Sequence, residues 1–360
     1  MRYTRRGFIE AMGAMGAAIG LPPVMAETVP DVAKTEISYV EDYLTPYKYG
    51  KPVLAPSGKK GAFDQLLVDH CRIFRHRGRF HMAYIGFDGI GYQTALAVSD
   101  DLLHWETLGI ILPRGSKNGW DANGRAESDF LMNCDLYGNR DLIKRDGKYW
   151  VFYHAYPGKG YENGAGANGL AWTDDETLMK WNFLDKPVIE KNKEKGAWDS
   201  GGLYSARIVP FGDSIRMYYS AKDENTSWRE QVGMATPVDG SLMKWERYAG
   251  NPVFRVSKKG WDSRFADGAN ILWDGRRKRW VMFYMGFDGR HAQDGVAVSD
   301  DGINWTRYPE PVLKVGKSGE LDSTHAHKPC VIWHDGCLYH FYCAVGPKGR
   351  VLTVARSKPF

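Results

Sequence analysis

Two carboxylates and one imidazole occur at matching points of an internal repeat in this sequence. When the repeated units are aligned on their turns, Asp69, Gly138, Tyr204, Asp267 and His327 fall at equivalent positions. If such positions converge on one cavity, the acidic and imidazole groups predict acid/base chemistry, in which one group activates water and another protonates a leaving oxygen. Each also has a structural alternative: the two aspartates as turn or cap residues, and the histidine as a packed core residue.

A second acidic cluster, Glu127 and Asp129, precedes the second unit and is expected near the mouth of the same cavity. The alternative for this cluster is a solvated loop. Catalytic roles are therefore predicted for Asp69, Asp267, His327 and Glu127. Substrate contacts are predicted for His70, Asp129, Arg140, Tyr204, Arg264 and His325.

A metal site is a further possibility, because His325 and His327 would share one face of a regular strand. Zinc needs three or four nitrogen, sulfur or carboxylate ligands, and the third would have to be Asp69 or Asp267. Calcium prefers six to eight oxygen ligands. We therefore expect no required cofactor, and we expect any metal to be a weakly held structural ion.

The elements that position these residues come from a repeat of about 60 to 75 residues. Residues 84–89 (Tyr-Ile-Gly-Phe-Asp-Gly) recur as 284–289 (Tyr-Met-Gly-Phe-Asp-Gly), and Val-Ser-Asp-Asp before a tryptophan recurs with the same offset. A second motif occurs five times, and in each copy an aspartate follows a glycine two or three residues later. These aspartates are Asp64, Asp121, Asp199, Asp262 and Asp322. Because they recur in every unit, a structural role is expected for them.

Each unit has the pattern of four short antiparallel strands. Phe80, Met82 and Tyr84 alternate with other residues at the period of two that marks a half-buried strand, after a turn at residues 76–78. No amphipathic helix interrupts the units. Four strands repeated radially predict an all-β, five-bladed β-propeller. The last unit ends at Phe360 after three strands, so the segment around residues 47–54 is expected to close the ring as the missing fourth strand.

The N-terminus predicts export. Residues 4–9 (Thr-Arg-Arg-Gly-Phe-Ile) are followed by an apolar Gly/Ala-rich stretch and end in small residues at position 26, as in a twin-arginine signal. The predicted organisation is a signal over 1–26, a lead over 27–45 and one propeller domain over 46–360, located in the periplasm. Five cysteines without a CxxC pair predict neither a disulfide framework nor a structural zinc site.

Composition excludes several classes of protein. With 360 residues, 43% hydrophobic and 25% charged, the chain is neither disordered nor a disulfide-dense miniprotein. After residue 26 no apolar run is long enough to span a membrane. A net charge of +5, partly from the signal, is too small to predict nucleic-acid binding. The 13 Trp, 20 Tyr and 15 Phe favour a surface on which sugars stack.

Taken together, the Val-Ser-Asp-Asp…Trp signature, the Pro-Val lead-ins and Asp69 at the start of the first blade resemble the five-bladed glycoside hydrolases, family 43 and its relatives 32, 62, 117 and 130. The resemblance covers residues 46–360. Family 43 implies a base at Asp69, but its other two carboxylates would fall at Gly138 and Tyr204, where this sequence departs. The family 32 motif Asn-Asp-Pro-Asn is absent. Family 117, with two aspartates and a histidine from the last blade, is most similar, through Asp69, Asp267 and His327. Because five-bladed relatives often hold calcium on the central axis, the resemblance also implies a possible structural calcium there, in a channel that His327 would face.

The resemblance implies an exo-acting, inverting glycoside hydrolase that removes a terminal sugar from an oligo- or polysaccharide. Asp69 would be the base, His327 or Glu127 the acid, and Asp267 would tune the acid or bind hydroxyls. The absent second and third carboxylates leave a non-catalytic sugar-binding propeller as one alternative. A phosphorylase, with phosphate bound by Arg125, Arg264 and His325, is another. The Gly-rich loop 158–166 is expected to form a wall of the pocket, because no helix follows it to make a dinucleotide site.

Overall fold

The computed structural model describes residues 39–224 and 228–360, so the predicted export signal lies outside the described residues. The described part contains one short 3-10 helix, Val40–Tyr43, and otherwise strands, which confirms the all-β class. None of its helices has the length and apolar character needed to cross a membrane.

The strands form five consecutive antiparallel groups. The first group is β2 (Leu67–His76), β3 (Arg79–Phe87), β4 (Tyr92–Ser99) and β5 (Glu106–Leu112), and the second is β6 (Ala126–Phe130), β7 (Tyr149–Ala155), β8 (Ala167–Thr173) and β9 (Asn182–Phe183). The third is β10 (Gly202–Phe211), β11 (Ser214–Lys222), β12 (Glu230–Pro237) and β13 (Trp245–Arg247), and the fourth is β14 (Phe265–Asp274), β15 (Arg279–Phe287), β16 (Ala292–Ser299) and β17 (Thr306–Arg307). The fifth is β18 (His325–His334), β19 (Cys337–Gly346) and β20 (Gly349–Arg356), and β1 (Tyr47–Lys48) pairs antiparallel with β20. The first strand of each group contacts the first strand of the next, and β18 also contacts β2.

An aromatic residue precedes four of the five motif aspartates, and it packs inside its group. In the second, third and fourth groups, this tryptophan stacks on a tyrosine of the second strand, with ring centroids 5.4 to 5.7 Å apart. A glycine of the third strand makes room for this pair. A Cβ on Gly295, for example, would lie 2.4 Å from the Trp261 ring. Ring stacking of this kind contributes beyond the apolar area that it buries.

The motif aspartates hold the same groups together by hydrogen bonds. Asp121, Asp199, Asp262 and Asp322 are buried, and each accepts a hydrogen bond from a second-strand tyrosine hydroxyl at 2.9 to 3.1 Å. The structural role expected for these aspartates is thereby confirmed.

A basic side chain also pairs with these aspartates, and in the later groups it comes from the outermost strand. Arg247 on β13 lies 2.8 Å from Asp199, and Arg307 on β17 lies 3.1 Å from Asp262. In the last group Lys48 on β1 makes the equivalent contact with Asp322 at 2.6 Å. The two-residue strand β1 therefore supplies the contact that a fourth strand supplies elsewhere.

We expect Lys48→Met to lower the free energy of unfolding by about 1–3 kcal/mol, because it leaves the buried Asp322 carboxylate without its cation. Urea unfolding followed by tryptophan fluorescence measures this. Lys314→Met is the matched control, because Lys314 pairs with Glu310 at the exposed surface and its loss should cost about 0.5 kcal/mol or less. Equal effects of the two substitutions would contradict the prediction.

Every first strand carries an irregularity near its beginning. The register with the second strand shifts after Asp69, Glu127, Leu203, Asp267 and His327. Such β-bulges bend a strand and re-aim the side chains beside them. Two bulge residues, His70 and Lys328, have positive φ angles of 30° and 67°, a conformation that costs energy in a non-glycine residue. Residues from the bulges of β2, β10, β14 and β18 line one cavity, and the second group lines it from β7 and the loop that follows β7.

Candidate active site

The cavity between the bulges is small, with about 30 Å³ of room for the centres of water-sized molecules and a mouth that opens to solvent. Side chains from all five strand groups line it. The polar ones are His70, His154, Glu162, Tyr204, Ser205, Asp267 and Lys328, with Tyr156 beside them. Two carboxylates, one ammonium group and two imidazoles facing one small space form an arrangement suited to acid/base work on a polar substrate.

The residues predicted from the sequence divide into two layers. His70, Tyr204 and Asp267 line the cavity as expected. Asp69, Glu127 and His327 occupy the equivalent positions just before their bulges, but their side chains are buried beneath the lining residues. Of the four predicted catalytic residues, Asp267 therefore has its side chain at the cavity wall.

Asp69 is an anchor for two cations in this structure. Its Oδ2 accepts hydrogen bonds from Lys328 Nζ at 2.6 Å and from Arg350 Nη1, and its Oδ1 accepts the His70 main-chain N–H at 2.8 Å. Burial alone would raise the pKa of Asp69, but Arg350 and Lys328 outweigh burial and hold that pKa well below its usual range. Asp69 is therefore a permanent carboxylate that fixes Lys328 at the cavity wall.

Glu127 contacts the cavity through His70. Its carboxyl oxygens lie 2.8 and 3.0 Å from His70 Nδ1. Burial raises the pKa of Glu127 well above its usual range, against the opposing effect of Arg72 and Arg207. This direction suits the acid role predicted for Glu127, although the imidazole of His70 separates its carboxyl from the cavity.

The two histidines of the last group that were predicted as site residues have lowered pKa values. His327 donates from Nδ1 to the Cys343 carbonyl oxygen at 3.2 Å, and burial, with Arg350 and Lys328, holds its pKa well below 6.5. His325 Nδ1 accepts the Ala292 N–H at 3.0 Å, and burial lowers its pKa to about 3. A neutral imidazole carries no acidic proton of the required strength, so the geometry does not favour His327 as the general acid.

Three other positions differ from the sequence-based expectation. Gly138 does not share the inner ring, because it lies in a turn after β6 and Glu127 takes the equivalent position. Arg140 lies away from the cavity wall, where its side chain donates to the Asn133 carbonyl oxygen at 3.2 Å. Asp129 is buried below the cavity and accepts the Ile208 N–H at 3.2 Å. Arg264 is exposed just before β14, at the cavity end of that strand.

Glu162 is a cavity carboxylate that sequence reasoning missed. It belongs to the Gly-rich loop 158–166, and Tyr92 donates its hydroxyl to Glu162 Oε1 at 3.0 Å. In the same loop Tyr161 packs edge-on against Phe87 and Tyr92. The loop is thus confirmed as a wall of the pocket. A loop residue has no periodic pattern to reveal its direction, so only its glycine-rich neighbourhood marked it.

The potential metal ligands do not fit a cation. Asp69, His327 and Cys343 present ligand atoms within 4.8 Å of one another. However, Lys328 and Arg350 already neutralise Asp69, and both would repel an added divalent ion. Cys343 is also unsuited, because burial raises the pKa of its thiol and a metal binds the thiolate.

Comparison with known proteins relates the chain to enzymes that act on glycosidic bonds. The family model described as glycosyl hydrolases family 32 N-terminal domain matches residues 139–292. A levanase of Bacillus sp. (strain L7) is 26% identical over 283 residues, which are 74% of this chain and 30% of the levanase. The chain thus spans about a third of the length of the curated relatives that it matches.

Two solved structures are more similar. One is a complex of the protein BT0996 with RGII and is 31% identical, and the other, described as "Glycoside hydrolase", is 30% identical. Each alignment covers 89% of this sequence and 94% of the other, with a TM-score of 0.77. Similarity over almost the whole of both sequences relates the described fold as a whole to these proteins.

Proposed function

Because this chain belongs to the β-propeller glycoside hydrolases, we propose that it hydrolyses a glycosidic bond in the cavity between its five bulges. The carboxylates of Asp267 and Glu162 flank the scissile bond in this proposal. One protonates the leaving oxygen and the other activates the attacking water, as paired carboxylates do in glycosidases. The observation that carries the proposal is that both groups line the same cavity, from the first strand of the fourth group and the loop after β7.

In this proposal Asp69 and Glu127 do not touch the substrate, and each positions a residue that lines the cavity. Asp69 keeps Lys328 charged and in place, since its charge outweighs the effect of burial and raises the pKa of Lys328. Glu127 orients His70. Lys328 would then bind hydroxyls of the sugar, and the ring of His70, whose two nitrogens are taken by Glu127 and Arg207, would pack against the sugar. The assignment of Asp69 as the base stays a prediction, and the stability of Asp69→Asn separates that role from the role of anchor.

We also propose that the enzyme acts on chain ends and inverts the anomeric centre. Support for the exo mode comes from the lining, because side chains from all five groups surround a small cavity, which suits a chain end better than the middle of a polysaccharide. Inversion would place the acid and base about 6.5–9.5 Å apart in the working complex. Proton NMR of the first-formed product tests inversion, and a product with the anomeric configuration of the substrate would contradict it.

The experiment for the function as a whole is an assay on aryl glycosides and oligosaccharides, with fructosides and levan included because of the similarity to a levanase. We expect release of a single sugar without added phosphate. Turnover that requires phosphate would instead support a phosphorylase. Affinity for a glycan without turnover would support a binding propeller.

The same proposal includes a closed ring of five blades, with β1 as the fourth strand of the last one. The contact between β18 and β2 and the pairing of β1 with β20 support it. It also includes export by the twin-arginine pathway to the periplasm. N-terminal sequencing of the secreted protein tests the export step, and a mature chain that begins near residue 27 is the expected result.

We propose that no metal is needed, because Lys328 and Arg350 already neutralise Asp69. Dialysis against EDTA is expected to leave both the activity and the melting temperature unchanged. Complete loss of activity that zinc restores and calcium does not would contradict this prediction and would indicate His325 and His327 as ligands.

A further inference from the structure

Two buried arginines cross beneath the cavity floor. Arg72 on β2 and Arg207 on β10 are at most 2% exposed. Arg72 donates from Nη1 to the carbonyl oxygens of Cys71 at 3.0 Å and Pro329 at 3.1 Å, and from Nε to the Ser128 carbonyl oxygen at 3.2 Å. Arg207 donates to the carbonyl oxygens of Ala269 and Ser128.

These carbonyl oxygens belong to the bulges that form the cavity. Ser128, Ala269 and Pro329 lie within the register shifts of β6, β14 and β18. A guanidinium group offers five N–H donors in a fixed plane, so it can hold several carbonyl oxygens at set distances. The bulges of different strand groups are thereby fixed relative to one another by two side chains.

Arg207 also determines the proton position on His70. Its Nη2 lies 2.9 Å from His70 Nε2. Since arginine can only donate, Nε2 must be the acceptor, and the ring proton must lie on Nδ1, where it is donated to Glu127 at 2.8 Å. Arg207 thus sets the tautomer of an imidazole at the cavity wall and, together with Glu127, its orientation.

We propose that Arg207 is a positioning residue of this enzyme, which acts on the reaction through His70 and the bulge carbonyl oxygens without touching the substrate. The proposal rests on the proposed function for its kinetic consequence, but not for the tautomer of His70. Displacement of reacting groups by about 1 Å costs about 100-fold in rate. We therefore expect Arg207→Met to lower kcat/KM by about 100-fold, with the loss in kcat.

The test combines kinetics with nitrogen NMR of protein labelled with 15N-histidine. In the wild type we expect the His70 proton on Nδ1, assigned by comparison with His70→Asn. In Arg207→Met this fixed tautomer is expected to be lost. Arg207→Lys keeps part of the hydrogen-bond donors of Arg207, so it should retain part of kcat. Millimolar guanidinium added to Arg207→Met replaces some of these donors, so it should restore part of kcat. Arg216→Met is the control, because Arg216 lies against Phe211 at the other end of the strands.

Circular dichroism and the melting temperature establish which variants are folded, and Arg207→Lys keeps the test decisive if Arg207→Met does not fold. A wild-type spectrum with the proton on Nε2 would overturn the proposal even if no substrate were found. A folded Arg207→Met that keeps the wild-type kcat and the His70 tautomer would also overturn it. If no substrate is turned over by the wild type, the proposed function fails, and the NMR result still decides the role of Arg207 at His70.

Discussion

Asp267→Asn is expected to lower kcat/KM by about 10²- to 10⁴-fold on any substrate that the wild type hydrolyses, and Glu162→Gln by a similar factor. Each substitution keeps the size of the side chain but removes a group that can gain or lose a proton at the cavity wall. Steady-state kinetics, with circular dichroism to show that the variants are folded, measures the effect. Glu106→Gln is a matched control, because Glu106 is exposed on β5, an outer strand.

Substrates with different leaving groups distinguish the general acid from the general base. If a variant lacks the general acid, it should hydrolyse an activated aryl glycoside almost as well as the wild type, while losing activity on an oligosaccharide. If it lacks the base, it should lose activity on both, and azide as an external nucleophile should restore part of it. If Asp267→Asn and Glu162→Gln both keep the wild-type kcat/KM, the carboxylates at the wall are not the catalysts.

Most of the strand framework was predictable because its causes are local. Alternating apolar residues, turn dipeptides and the repeated Gly-aromatic-Asp motif each act within a few residues, and the motif aspartates bond to a tyrosine of their own group, as Tyr219 does to Asp199. The segment of β1 was marked for a different reason. A last group with three strands leaves an edge that needs a partner, and Tyr47–Lys48 pairs with β20, while closure of the ring by this segment stays a prediction.

The site was less predictable because bulges and ion pairs leave no periodic trace. A bulge adds a residue without a periodic signal. The alignment reached Gly138 where the fold has Glu127, because residues 131–148 separate β6 from β7, while short turns join the same two strands in the other groups. The partners of Asp69 are 259 and 281 residues away in the sequence, at Lys328 and Arg350. The residues near Asp69 in the sequence therefore do not indicate that its carboxylate forms ion pairs.

Asp69→Asn is expected to lower the free energy of unfolding at neutral pH by about 3–5 kcal/mol, because it leaves the buried cations Lys328 and Arg350 without their counter-charge. Urea unfolding of the wild type and the variant measures the difference. Asp100→Asn is the matched control, since Asp100 pairs with Arg79 at the exposed surface, where the loss of a pair costs little. If Asp69 were only the general base, turnover would fall while stability stayed the same or rose.

The pH dependence of this difference follows from the pKa of Asp69, which its two cations hold well below the usual range despite burial. In the unfolded chain an aspartate titrates near a pKa of about 3.9. At pH values between the pKa of Asp69 in the folded state and its pKa in the unfolded state, the unfolded state binds more protons than the folded state. The stabilisation from Asp69 is therefore fully present above about pH 4 and is lost as the pH falls toward the folded pKa. The stability difference between wild type and Asp69→Asn should therefore be constant from neutral pH down to about pH 5 and shrink below about pH 4. A difference that stays constant through this acidic range would show that Asp69 is not held as an anion by Lys328 and Arg350.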